Sequence, residues 1–137
     1  MSRVIVDTGP LVALLNPRDP YHDWARETAA RIKPPLATCE AVITETAFLV
    51  RTASDGPAAV LELIARQFVE IAFHVDAELL ALQRLVERYS SLPMSLADAC
   101  LVRMSELDPK AAVLTLDSHF RDYRRSGRLV IPLIAPA

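Results

Sequence analysis

Two short apolar runs end directly in an aspartate, and this pattern constrains the fold most strongly. The run Val4-Ile5-Val6 leads into Asp7, and the run from Ala111 to Leu116 leads into Asp117. Continuous apolar runs without alternation are typical of strands buried on both faces of a parallel sheet. Ligands of such sheets bind beyond the carboxyl ends of the strands. Both aspartates are therefore expected where a parallel α/β fold carries its chemistry.

The remaining chain alternates between helical and strand patterns. Helices are predicted over residues 11–15, 20–32, 40–52, 58–66, 77–89 and 95–107, and strands over 4–6, 36–39, 68–73, 111–116 and 129–134. Asp19 and Pro20 have the residue types of an N-cap and a first helical residue. Pro132 interrupts the last strand and places it at a sheet edge. The alternation predicts an α/β sandwich with a mostly parallel sheet.

Length, charge and composition limit the class of protein. The chain has 137 residues, of which 52% are hydrophobic, so it is expected to form one folded domain over residues 1–137. A formal net charge of −2 excludes a polybasic protein as a whole. Four arginines nevertheless cluster near the C-terminus, where they either form a solvated surface or bind an anionic partner such as RNA: Arg121, Arg124, Arg125 and Arg128.

The cysteines and the absence of targeting patterns indicate a compartment. Cys39 and Cys100 are few and far apart, which favours buried free thiols over a disulfide framework or a zinc site. The first residues lack a signal-peptide pattern, and no apolar run approaches the ~20 residues that a membrane span needs. A cytoplasmic location without membrane insertion is expected.

Glu45 is the first of two helical acids whose phase points inward. Its neighbours three and four positions away are Ala41, Val42, Phe48 and Leu49, all apolar. Helical geometry places these side chains on one face, so Glu45 is predicted to lie on the core-facing stripe. Acids in the middle of a helix normally face water. An inward-pointing Glu45 is therefore better explained by a functional role than by a structural one.

Asp98 is the second inward-pointing acid. Met94, Leu101 and Val102 share its helical face. Asp98 also follows Ser95 by three positions, which is the pattern of a capping box, so a purely structural role stays open. Asp7 as a helix cap and Asp117 as a turn residue are the corresponding structural alternatives.

The four acids Asp7, Glu45, Asp98 and Asp117 are candidates for a single site. Two carboxylates ~5 Å apart repel by about 3 kcal/mol at an effective dielectric constant of ~20. No lysine or arginine lies on the inward faces of the two helices to compensate. Mg²⁺ or Mn²⁺ is the natural counter-ion for an all-carboxylate cluster, and such sites polarise phosphoryl oxygens and activate water. Thr8, Thr115 and Ser118 could support the acids through hydrogen bonds, and His119 could contact a phosphate.

These motifs resemble those of the PIN-domain family, and within it the VapC-like toxins of toxin–antitoxin pairs. The resemblance rests on the segment from Val4 to Leu11, on Thr44-Glu45, on Ser95-Leu96-Ala97-Asp98-Ala99, and on the segment from Leu114 to Phe120. Asp19-x-x-His22 also matches a family habit in the first loop. The pieces occur in the order and spacing of the family over nearly the whole chain.

The resemblance implies a Mg²⁺- or Mn²⁺-dependent endoribonuclease on a five-stranded, mostly parallel sheet in a three-layer sandwich. Asp7, Glu45, Asp98 and Asp117 carry over as the acidic catalytic and metal-binding set, with Asp7 and Asp98 as direct ligands. It further implies an RNA substrate, a VapB-like antitoxin that covers the acidic groove, and a homodimer. Ser118-His119 departs from many relatives, which leaves a role of His119 open.

Other classes of protein compete for parts of this pattern. Asp7-Thr8-Gly9 is also the triplet of retroviral-type aspartic proteases, but those are all-β proteins and this chain is rich in helical patterns. A phosphatase of the haloacid dehalogenase type needs a second aspartate where Gly9 stands. A non-catalytic PIN-like module that binds RNA or protein is the main alternative, and it predicts the same fold without cleavage.

Overall fold

The computed structural model describes residues 3–53 and 55–137. In chain order its elements are β1 (Val4–Val6), α1 (Thr8–Leu15), α2 (His22–Ala30), β2 (Leu36–Thr38), α3 (Glu40–Leu49), α4 (Gly56–Ala65), β3 (Val69–Ile71), α5 (Leu79–Arg88), α6 (Leu96–Leu107), β4 (Ala112–Leu114), β5 (Arg124–Arg125), β6 (Leu129–Val130) and β7 (Leu133–Ile134). Two 3₁₀ helices, Asp76–Glu78 and Ser118–Arg121, precede α5 and β5.

Five strands form a parallel sheet in the order β3-β2-β1-β4-β7, and helices flank it. The predicted three-layer α/β sandwich is therefore confirmed. The apolar run of β1 lies in the middle of the sheet, with Ile5 paired to Ala37 of β2 and to Val113 of β4. This placement follows from the sequence because an apolar residue at every position needs cover on both sides. Asp7 and the segment after β4 therefore lie side by side at the carboxyl ends of these two neighbouring strands.

Two predicted elements differ from the structure in more than the exact position of their ends. The helix expected from Pro20 begins at His22, with Tyr21 as its N-cap residue. The Asp19 carboxylate accepts a hydrogen bond of 2.8 Å from the Tyr21 N–H, so this acid stabilises a turn before the helix and does not cap the helix itself. The strand expected over 129–134 is divided at Pro132: β6 pairs with β5 in a separate hairpin, whereas β7 forms the predicted edge of the main sheet.

The buried stripe of α3 differs from the predicted one. Val42 and Thr46 are buried, whereas Phe48 is 59% exposed and Leu49 is also exposed. The buried Thr46 hydroxyl donates a 2.7 Å hydrogen bond to the Val42 carbonyl oxygen, which lets a polar residue occupy the inward face. The prediction that Glu45 lies on the core-facing stripe was therefore wrong, and Glu45 is an exposed residue beside that stripe.

Helix α5 is amphipathic but leaves part of its apolar side uncovered. Leu82 and Leu85 are buried against the core, whereas Leu79 and Val86 are exposed. Among the described residues, no helix combines the length and apolarity needed to cross a membrane.

Candidate metal centre

Asp7 stands at the junction between β1 and α1. Its Oδ1 accepts a 2.7 Å hydrogen bond from the Thr8 N–H, so the side chain caps α1 as the structural alternative requires. Its Oδ2 accepts a second bond of 2.7 Å from the hydroxyl of Thr115. The residue is only 6% exposed, and this burial raises the pKa of its carboxyl to about 6 although both hydrogen bonds lower it.

Asp98 lies in the first turn of α6 and is 8% exposed. The predicted capping box is present, because the Asp98 N–H donates to Ser95 Oγ at 3.0 Å and the Ser95 N–H donates to Asp98 Oδ2 at 3.1 Å. The Tyr123 hydroxyl donates to the same Oδ2 at 3.2 Å. Burial raises the pKa of Asp98 above its usual value, and the nearby charge of Asp117 adds to this effect. The capping role and a place in the site therefore coexist.

Asp117 follows β4 and is less buried than the other two aspartates. Its backbone N–H donates to Thr115 Oγ1 at 2.9 Å. Its Oδ1 accepts from the backbone N–H of His119 at 2.9 Å, and His119 Nδ1 lies 2.9 Å from the same oxygen. The turn role foreseen for Asp117 is present, and it fixes the direction of the carboxylate.

Asp7, Asp98 and Asp117 offer three carboxylate oxygens that all lie within 4.8 Å of one another. At this separation each ionised pair repels by at least about 3 kcal/mol at an effective dielectric constant of ~20. No lysine or arginine is among the described residues that line the surrounding cleft of about 740 Å³. The repulsion is relieved by protonation or by a dication, and the three carboxylate oxygens fit an oxygen-preferring ion.

Glu45 lines the same cleft but is not a member of this group of three. Helix α3 contributes both Glu45 and Leu49 to the cleft wall, and the exposed Glu45 side chain reaches the cleft from the rim. The structure therefore brings three of the four predicted acids together and places the fourth within the same cleft. Asp19 adds a further carboxylate to the cleft wall.

Hydroxyl groups support the acids. Thr115 connects two of them, since its hydroxyl donates to Asp7 and accepts from the Asp117 N–H. The buried Thr8 hydroxyl has no hydrogen-bond partner among the described residues, so it does not support the acids in the way that the sequence predicts. Tyr123 was not foreseen as a site residue. Its contact with Asp98 spans 25 residues, and no local pattern in the sequence indicates it.

The other residues considered from the sequence have mainly structural contacts. His22 Nδ1 lies 2.7 Å from the Ala13 carbonyl oxygen and ties α2 to α1. Cys39 and Cys100 are free and buried, which confirms the prediction for both thiols. Arg124 and Arg125 each donate to backbone carbonyl groups, of Arg121 and Pro109 respectively.

The family model described as PIN domain matches residues 4–126, a range that contains all four predicted acids. The chain belongs to the PIN-domain family. It is 30% identical to Ribonuclease VapC26 of Mycobacterium tuberculosis over 127 residues, which covers 90% of this chain and 94% of that protein.

This PIN domain also resembles a solved structure. The crystal structure of VapC20 from Mycobacterium tuberculosis, titled a sarcin-ricin loop cleaving toxin, matches with a TM-score of 0.76. The match covers 94% of this chain and 99% of that chain at 24% sequence identity. The similarity shows that the two proteins share one fold over nearly their whole lengths.

Proposed function

We propose that this PIN domain is a metal-dependent endoribonuclease and the toxin of a VapC-type toxin–antitoxin pair. The observation that carries the proposal is the convergence of Asp7, Asp98 and Asp117 within 4.8 Å in a cleft whose described lining has no lysine or arginine. The likeness to Ribonuclease VapC26 supports RNA as the substrate. A binding module without catalysis would have no need for three carboxylates that repel one another.

The proposed cofactor is Mg²⁺ or Mn²⁺, held by Asp7, Asp98 and Asp117, with Glu45 interacting through water from the cleft wall. Hard oxygen donors suit both ions. When bound, such an ion stabilises charge on phosphate oxygens and activates water for hydrolysis.

The protein's own residues pre-organise this site. The bond from Thr115 to Asp7 and the bond from the Asp117 N–H to Thr115 hold two carboxylates in a fixed relation. Ser95 and Tyr123 do the same for Asp98. Because each carboxylate is already oriented, little rearrangement is needed when the scissile phosphate enters the cleft. Glu45 lines the cleft from α3, and we assign to it the orientation of the attacking water.

Cleavage assays test the proposal. Structured RNA is incubated with the protein and Mg²⁺ or Mn²⁺, alongside Asp7→Asn, Asp98→Asn and the exposed control Asp122→Asn. Removal of a direct ligand is expected to reduce cleavage by about 100-fold or more, whereas the control stays active. Cleavage that persists equally in Asp7→Asn or in excess chelator would refute the nuclease assignment and favour the non-catalytic module.

The proposed partners follow from the same assignment. A VapB-like antitoxin would cover the acidic cleft, and single-stranded or looped RNA is the expected substrate because its phosphates are accessible. A cytoplasmic location is proposed with them, because both RNA and such an antitoxin would be encountered there. Co-expression with the adjacent reading frame should yield a complex that no longer cleaves RNA, and an active complex would contradict the antitoxin assignment.

A homodimer is proposed through the uncovered side of α5. Val75, Leu79, Val86 and Leu96 line an apolar groove of about 350 Å³ on this side. Exposed apolar surface of this kind marks interaction sites. Light scattering should give twice the monomer mass, and Val86→Glu should give the monomer mass with an unchanged thermal transition. A monomeric wild-type protein would rule out this interface.

A further inference from the structure

A second groove, far less acidic than the cleft, lies between α5, α6 and the turn that joins β5 to β6. Its volume is about 490 Å³, and its lining includes Arg84, Arg88, Arg103, Glu106, Ser126 and Gly127. We call it the arginine groove. Its composition is opposite to that of the acidic cleft, whose described lining contains no arginine or lysine.

The charges of the arginine groove do not cancel. Arg103 is paired with Glu78 at 2.6 Å and with Glu106 at 3.1 Å. Among the described residues, neither Arg84 nor Arg88 forms an ion pair with a carboxylate. Both are exposed and lie one turn apart on α5, so two guanidinium groups face the groove with donors available to an anion.

The turn that closes the arginine groove has a defined conformation. Arg88 Nη2 donates a 2.6 Å hydrogen bond to the Gly127 carbonyl oxygen. Gly127 has φ +82°, a backbone conformation that favours glycine at this position of the turn. The Ser126 N–H donates to Glu106 at 2.6 Å and fixes the turn against α6. The groove is therefore a built feature of the surface.

The arginine groove is connected to the acidic cleft by one chain segment. Tyr123 contacts Asp98 in the cleft, and Ser126 contacts Glu106 in the groove. Asp98 and Glu106 are eight residues apart on α6, which corresponds to about 12 Å along the helix axis. Arg124 and Arg125 lie on the connecting segment and add positive charge between the two sites.

We infer that the arginine groove binds backbone phosphates of the RNA that flank the scissile phosphate in the cleft. The inference rests on the proposed nuclease function, because only a nuclease has to hold RNA at the acidic cleft. A cleft lined by carboxylates repels a polyanion, so the binding energy for RNA has to come from cations elsewhere on the surface. Arginine is the side chain best matched to phosphate, and such contacts are independent of base sequence.

The test measures RNA binding without cleavage. Fluorescence anisotropy with a labelled single-stranded RNA is recorded in chelator over a series of KCl concentrations. Removing one arginine that binds a phosphate should reduce the salt slope of log K by about 0.7 and weaken binding by about threefold to tenfold. Arg84→Gln, Arg88→Gln and the double variant are compared with Arg66→Gln, which removes the same charge at the C-terminal end of α4.

Two features keep the outcome decisive. Arg88→Gln also removes the hydrogen bond to Gly127, so thermal unfolding is measured for every variant. If Arg88→Gln destabilises the turn, the salt slope of Arg84→Gln decides the test. The inference would be overturned if the double variant had the same salt slope as Arg66→Gln. An acidic protein segment would then be the favoured ligand of the groove. Because no cleavage is involved, a change in slope supports the groove even if the metal-dependent activity is not found.

Discussion

Asp7 is expected to destabilise the metal-free fold at neutral pH, and Asp7→Asn should reveal this cost. Burial raises the pKa of the folded Asp7 carboxyl to about 6, from a usual value of 3.8. The folded state therefore binds this proton more tightly than the unfolded state, and stability is lost as pH rises through the window between these values. The full effect is about 3 kcal/mol above the folded pKa, from about 1.4 kcal/mol per pKa unit.

Asp7→Asn removes the cost of the buried charge, but a lost hydrogen bond offsets part of this gain in stability. Asparagine caps helices as well as aspartate does, so the bond from the Thr8 N–H is retained. The Thr115 hydroxyl loses its acceptor Oδ2, which costs about 1 kcal/mol. Asp7→Asn should therefore increase the free energy of unfolding by about 1–2 kcal/mol at about pH 7.5, and this advantage should disappear near pH 4.5.

The assay is denaturant unfolding of chelator-treated protein at both pH values, with the exposed Asp122→Asn as the matched control. Adding Mn²⁺ should then reverse the order, because only the wild-type protein has all three carboxylates for the ion. A variant less stable than wild type at neutral pH without metal would refute the reasoning. It would mean that the hydrogen bonds to Asp7 outweigh its burial.

Three further substitutions separate the roles of neighbouring residues. Tyr123→Phe keeps the ring packing but removes the bond to Asp98, so Mn²⁺ affinity in calorimetry should fall by about 10-fold with little change in stability; equal affinity would exclude a supporting role. Glu45→Gln should slow cleavage while Mn²⁺ affinity changes by less than about threefold, because Glu45 lies outside the group of three; a decrease as large as for Asp7→Asn would make it a direct ligand. Ser95→Ala should lower the unfolding free energy by about 1 kcal/mol in denaturant titrations, since the side-chain half of the capping box is removed; an unchanged midpoint would contradict this.

The parts of the site that were predictable from sequence are those with a local signature. Asp7 and Asp117 were placed correctly because a continuous apolar run forces its strand into the middle of the sheet and the next residue to its edge. Asp98 was placed by helical phase and by its relation to Ser95. The inward phase of Glu45 was wrong for a physical reason. Phe48 and Leu49 are apolar yet exposed, and hydrophobicity alone does not distinguish a residue of the core from one on an interaction surface.

Contacts between distant segments were beyond local patterns. Tyr123 reaches Asp98 only after the chain has passed through β4 and a 3₁₀ helix, so no periodicity indicates the pair. The division of the last strand at Pro132 is similar, because the sequence predicts the interruption but not that the two halves join different sheets. Residues that support the acids through tertiary hydrogen bonds are therefore harder to predict than the acids themselves.

The layout of charge links stability, metal binding and substrate binding. Burial raises the pKa of Asp7 to about 6 and that of Asp98 above its usual value, so protons compete with the ion for these carboxylates in acidic solution. Metal affinity should consequently rise with pH through about 6, the folded pKa of Asp7. The ionised acids repel RNA until the ion is bound, whereas Arg84 and Arg88 of the arginine groove attract it. RNA would thus be held first by its flanking phosphates, and the scissile phosphate would enter the cleft once the ion has neutralised the acids.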